Sequence, residues 1–209
     1  MIKMKTAIRI FSVLLAALFP FFTSCGSAPA DRSARNAQPL NGMSDSERFA
    51  LEYPSVGRNN IFVFRNAGET ADILANGTGI VFIGFKECPW CQTYAVYLNE
   101  TTIESGIGKI FYCDILEDRQ NNTESYQRIV NILSGTLQYD NEGRPRVYVP
   151  DVTIVDGGKI ICRDFETSKD TLGYETPKEY WTDERVGALK EKLYDSMSQI
   201  SRSCGQCDY

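Results

Sequence analysis

Two cysteines, Cys88 and Cys91, stand in the run Cys88-Pro89-Trp90-Cys91, at the point where an apolar stretch gives way to a helical one. Residues 80–83 read as a strand and residues 92–104 as a helix. A CxxC at such a junction reads as a redox dithiol. On the first turn of a helix this spacing puts both sulfurs on one side, with the Cα atoms within the roughly 4.4–6.8 Å that a disulfide spans. Unpaired N–H groups and the helix dipole favour negative charge there, so the Cys88 thiol is expected in the activated range of about 3.5–7.5. Pro89 suits the first helical position, whose N–H has no intrahelical partner to lose. Cys88 would attack a substrate disulfide, and Cys91 would resolve the mixed disulfide; run backwards, the pair oxidises a dithiol. A static disulfide, or half of a zinc site, is the inert reading of the same residues.

The rest of the chain narrows the chemistry further. It has 209 residues and no histidine, which excludes Ser-His-Asp, Cys-His and His-metal mechanisms. Its composition, 43% hydrophobic and 23% charged, can fill one core. A net charge of −5 without a Lys/Arg cluster argues against a nucleic-acid partner. No metal or organic cofactor is expected.

Residues 1–25 read as an export signal. Lys3, Lys5 and Arg9 precede a short apolar core at 10–22, too short for a comfortable span. Thr23-Ser24-Cys25-Gly26 resembles the lipobox of bacterial lipoproteins, in which the cysteine becomes the lipidated N-terminus. Phe22 stands where a leucine is usual. The other reading is a plain secretory signal. Either places the mature protein outside the cytoplasm, and lipidated Cys25 would anchor it to the outer face of the bacterial cytoplasmic membrane. Residues 26–43 read as a flexible tether.

Residues 44–200 form the expected domain. A capped helix start at Ser44 leads into a short helix ended by Pro54, followed by a strand at 61–64 and a helix at 69–75. Residues 79–85 are nearly all apolar, as in a central strand covered on both faces. A strand at 109–115 and a helix at 123–134 come after the CPWC helix; 135–146 reads as loop. Strands at 151–155 and 159–163 flank Asp156-Gly157-Gly158 as a hairpin. Residues 164–180 read as a polar surface wrap, and a last helix begins at Thr182. Its stripe of Val186, Leu189, Leu193 and Met197 would dock on the sheet. Cys113 reads as a buried free thiol that packs as a small hydrophobe, and Cys162, mid-strand, as core or edge packing. The order of elements predicts an α/β fold, a central mixed sheet flanked by helices.

With CPWC at a strand-to-helix turn, a following βα unit, and Pro150 heading a hairpin before a terminal helix, residues 59–200 resemble the thioredoxin superfamily. The lead-in, residues 77–85, looks most like that of bacteriocin-transport-accessory-type thioredoxin-like proteins. The resemblance implies a cis bond at Pro150 and a substrate groove built from Pro89, Trp90, Val149 and Pro150, with Trp90 an apolar platform facing the partner. It implies thiol–disulfide exchange with protein or peptide disulfides and dithiols, and an anchored dithiol would also meet a membrane electron donor or acceptor. A non-catalytic thioredoxin-like module that binds an exported peptide or protein is the other function class. One family feature is missing: Phe82 occupies the position of the usual buried acid. Lys86 and Glu87, the nearest charges, read as solvated. The family's sheet order also sets the strands bearing Cys113 and Cys162 apart.

The tail, residues 201–209, carries a second pair, Cys204 and Cys207. It reads as an exposed disulfide, as a redox partner for Cys88 and Cys91, or as half of a zinc site. The two pairs are much farther apart than the roughly 15–20 residues of a paired zinc motif.

Overall fold

In the computed structural model, residues 42–200 are described. The export signal, most of the tether, and Cys25, Cys204 and Cys207 lie outside them. The elements run α1 (Asp45–Glu52), β1 (Phe62–Phe64), α2 (Ala67–Asn76), β2 (Gly79–Gly84), α3 (Pro89–Glu104), β3 (Ile110–Asp114), α4 (Leu116–Asn121) and α5 (Glu124–Leu133). After a 3₁₀ turn come β4 (Gln138–Tyr139), β5 (Pro145–Arg146), β6 (Asp151–Asp156), β7 (Lys159–Asp164), α6 (Glu166–Lys169), α7 (Pro177–Tyr180) and α8 (Asp183–Met197).

Five strands form one mixed sheet in the order β1-β3-β2-β6-β7. β1, β3 and β2 are parallel, and β6 and β7 continue the sheet antiparallel. The strand interior explains why β2 is central. Alternate side chains point to opposite faces, so an almost wholly apolar strand needs cover on both. Ile80 and Phe82 join a core beneath α1, α3 and α8. Val81 and Ile83 join a second core beneath α2 and α5. The α/β architecture with helices on both faces is the expected one.

Local chemistry sets the element ends. Ser44 and Glu47 close a capping box on α1, with Glu47 N–H donating to Ser44 Oγ at 3.3 Å and Ser44 N–H to Glu47 Oε2 at 3.0 Å. Asn66 and Glu69 do the same for α2, so this helix starts at Ala67, earlier than its apolar residues suggest. Gly157 and Gly158, at φ +57° and +77°, form the tight turn between β6 and β7. A Cβ on Gly158 would lie 2.0 Å from the Ala75 carbonyl oxygen, because this turn packs on the end of α2.

Two expectations are corrected, and one element had no counterpart among them. Residues 116–121 are a helix, although they lack apolar periodicity and α4 has no side-chain cap. Residues 135–146 are more than loop: β4 and β5 pair as a small ladder. The segment 164–180 does not simply wrap the surface. Thr176 caps α7 with Pro177 in its first turn, and this buries Tyr180 against Trp90 and Trp181.

The first core is an aromatic layer centred on Phe49. Its ring stacks on Tyr53 and Phe62 at centroid distances of 4.3 and 3.8 Å, and meets Tyr112 edge-on at 5.1 Å. Phe49 is fully buried, so its loss leaves a cavity that rigid neighbours cannot fill. Phe49→Ala is expected to destabilise the fold by about 3–5 kcal/mol, read as a lower midpoint in urea unfolding with little change in slope.

Candidate active site

β2 ends at Gly84, and the chain turns through Phe85 to Glu87 before α3 begins. Cys88 N–H donates to the Phe85 carbonyl at 3.1 Å, which closes that turn. Cys88 is the N-cap of α3, in extended conformation, and Pro89 fills the first turn. In place of the hydroxyl or carboxylate of an ordinary cap, Cys88 Sγ accepts the N–H of Cys91 at 3.2 Å. Both cysteines are free thiols; Cys88 is 7% exposed and Cys91 fully buried.

The two thiols differ in acidity for stated reasons. Cys88 is held down to about 7: a hydrogen bond from the Cys91 thiol does most, burial opposes it, and the N–H groups of Cys91 and Trp90 and the charge of Arg119 add to the lowering. Cys91 is pushed well up by burial first, then by its hydrogen bond to Cys88 and by the Cys88 charge. Near pH 7 about half of Cys88 is thiolate at the helix start, stabilised by the thiol below it.

Cys91 is sealed by close packing. A Cβ on Gly84 would lie 3.3 Å from Cys91 Sγ, 3.3 Å from Tyr53 Oη and 3.2 Å from Phe82 Cζ. Tyr53 Oη and Tyr112 Oη share a hydrogen bond at 3.0 Å in the same layer. Burial makes the Tyr53 phenol harder to ionise, and the Cys91 charge adds to that. Phe82, where the resemblance implies an acid, is fully buried. Asp114, opposite Gly84 in the sheet register, is pushed up by burial and accepts the Leu116 N–H at 3.0 Å.

The Val149–Pro150 peptide is cis, as the resemblance implies. β6 runs antiparallel to β2, with Asp151 opposite Ile83, so Pro150 stands at the sheet edge from which the motif springs. Pro150 is buried and Val149 half-buried, packed against both cores. The Val149 N–H and C=O make no backbone hydrogen bond among the described residues.

Trp90 is half-buried, with its ring edge-on to Tyr180 at 5.6 Å, so α7 covers part of the surface expected to stand open. Pro89 is exposed. Lys86 and Glu87 form an exposed pair at 4.0 Å, worth little in solvent.

Two contributors escaped the sequence reading. Tyr53, which reads only as the last residue of a short helix, closes over Cys91. Arg119 on α4 donates from Nη1 to the Val147 carbonyl at 3.2 Å and lies 5.3 Å over the Phe85 ring. It thereby joins the loop before Cys88 to the loop before Pro150. No local pattern marks Arg119; it arrives because β3 is parallel to β2 and α4 follows at the same sheet edge.

Cys113 and Cys162 are not brought together: β2 and β6 separate their strands. Cys113 is buried, its thiol pushed up to about 12 by that burial. Among the described residues, no group of three His, Cys, Asp or Glu is placed to hold a metal, and no helix is long and apolar enough to cross a membrane. No family model, curated protein or solved structure matches this chain.

The acidity difference is measurable. Alkylation of Cys88 by iodoacetamide, followed by mass spectrometry of its peptide, is expected to rise with pH around a midpoint near 7. Against an ordinary thiol near 8.5, that is about thirty-fold more thiolate at pH 6. Cys91→Ala removes the strongest donor to the sulfur, so the midpoint should move up by a unit or more; an unmoved midpoint would show that the helix end alone sets it.

Proposed function

We propose that this chain is a thioredoxin-like, extracytoplasmic thiol–disulfide oxidoreductase acting on protein or peptide disulfides through Cys88 and Cys91. One observation carries the reading. Two thiols on one helical turn have opposite acidities, with the more acidic sulfur nearer the surface and the less acidic one held beneath it. A static disulfide needs no such asymmetry; an attacking and a resolving sulfur do. The strand order, the motif at the end of β2 and the cis-proline at the head of β6 support the thioredoxin-like assignment.

The exchange follows from the geometry. The Cys88 thiolate attacks one sulfur of the substrate disulfide, that S–S bond breaks, and the leaving sulfur departs as thiolate. Cys91 then gives up its proton and attacks Cys88 Sγ. The mixed disulfide breaks, the second substrate sulfur leaves, and a Cys88–Cys91 disulfide remains. Two electrons pass from the dithiol to the substrate, and the two protons of the dithiol go to solvent and to the departing thiolates. Every step reverses, so the same pair oxidises a dithiol when it starts as disulfide.

Substrate would lie along Val149, whose backbone N–H and C=O suit pairing with an extended segment, beside Pro150, Pro89 and the free part of Trp90. Export and anchoring through Cys25 belong to the same proposal and rest on the sequence of residues 1–25. A second redox pair at Cys204 and Cys207 rests likewise on sequence.

Cys88→Ser is expected to reduce turnover of insulin disulfides to background. Cys91→Ser should instead accumulate a mixed disulfide, visible as a slower, reductant-sensitive band on a non-reducing gel. Undiminished turnover in Cys88→Ser would leave only a peptide-binding module.

A further inference from the structure

Two cations, Arg119, whose charge reaches Cys88, and Arg146, whose charge reaches Arg119, have surroundings that the exchange chemistry leaves unexplained. Arg119 reaches across from α4 to the Val147 carbonyl. Arg146 is the residue before Val147, and its guanidinium stands 5.5 Å from the Tyr148 ring. Both are half-buried. Each leaves its Nε buried without a hydrogen-bond partner. The Arg119–Val147 bond is the one hydrogen bond found for this pair of guanidiniums among the described residues.

Neither has a carboxylate within 4.0 Å among those residues; Arg58, Arg65 and Arg185 share that lack, but only Arg119 and Arg146 combine it with a buried, unpartnered Nε. The two charges also feel each other: after burial, the Arg146 charge acts most strongly on Arg119. Two like charges, partly withdrawn from water and without a counter-ion, are costly unless an anion joins them. A guanidinium presents a planar fork of donors that fits a carboxylate.

Their position says whose carboxylate it is. Arg119 packs over Phe85, in the turn that leads to Cys88, and binds the loop that leads to Pro150. A substrate segment paired along Val149 would therefore carry the neighbours of its cysteine past both arginines.

Building on the oxidoreductase reading, we propose that Arg119 and Arg146 form a carboxylate-recognition site beside the dithiol, selecting disulfides flanked by Asp or Glu side chains. The pair acts on substrate choice, while the Arg119 charge on Cys88 acts on every substrate alike. A ratio of rates for two substrates separates these effects.

The experiment uses two short, C-terminally amidated peptides, each bridged by one disulfide. One carries Glu on both sides of each cysteine, and its twin carries Gln. The pre-reduced full-length protein opens each, and the Cys88→Ser background is subtracted. At low salt the second-order rate constant is expected to favour the Glu peptide about tenfold, equivalent to about 1.4 kcal/mol. Raising the salt should shrink that preference in the wild-type protein. Arg146→Gln should reduce the ratio, and Arg119→Gln/Arg146→Gln should bring it to about one. Equal wild-type rates for both peptides would overturn the site while leaving the exchange reading intact. A Glu preference that survives in the double variant would overturn it as well. If the wild-type protein opens neither peptide, the exchange reading falls and this site falls with it.

Discussion

The hydrogen bonds that Cys91 directs at Cys88 Sγ are the interaction on which the site depends. They need a sulfur at the cap position, a helix whose first turn is intact, and a second sulfur driven into the core. A hydrogen bond to an ionised acceptor is worth about 1.5–3 kcal/mol, twice a neutral one, and enough to set which thiol ionises first. Burial then works in opposite senses along one turn. Donors around Cys88 outweigh its burial, whereas at Cys91 burial outweighs the single backbone donor, the Phe85 N–H, and keeps the thiol protonated. α3 can hold this geometry because its inner face, Tyr94, Ala95 and Leu98, is locked into the core shared with α8.

What was legible in the sequence was what local chemistry decides. The capping box at Ser44, the glycine pair of the β6–β7 turn, the two-faced apolar β2 and the CPWC helix start all have causes within a few residues of themselves. α4 has none of these. Its six residues are nearly all polar and begin without a side-chain cap, so contacts from elsewhere hold it: Arg119 to Val147, and Thr123 Oγ1 to Asp118 at 2.6 Å. Tyr180 was illegible for the same reason. An aromatic in a polar stretch is buried because Trp90 from α3 meets it together with Trp181 and Tyr174. The cis-proline stands between these cases: the sequence supplied its place, and a likeness supplied its geometry.

The environment of Cys91 shows how an aromatic core changes the chemistry next to it. Phe82 sits among Tyr53, Tyr94 and Tyr112, at centroid distances of 6.2, 6.3 and 5.6 Å. A carboxylate at that position would face rings, with no cation to balance it and a desolvation cost of several kcal/mol. The layer that stabilises α1 against the sheet is therefore incompatible with an acid under the dithiol. What the layer offers Cys91 instead is polar but neutral, the hydroxyl of Tyr53 backed by that of Tyr112.

The charge that acts on both thiols comes from elsewhere. Arg119 is the one cation that lowers both Cys88 and Cys91, and it does so from the side, over Phe85, at the level where substrate would lie. A charge beneath the dithiol acts on the protein's own sulfurs alone. A charge beside it is shared with whatever occupies the groove, so an anionic neighbour of the substrate cysteine would partly neutralise the field that keeps Cys88 ionised. On the proposed reading, binding and reactivity are then opposed through one guanidinium: an acidic substrate gains in docking and gives back some thiolate character at the moment of attack.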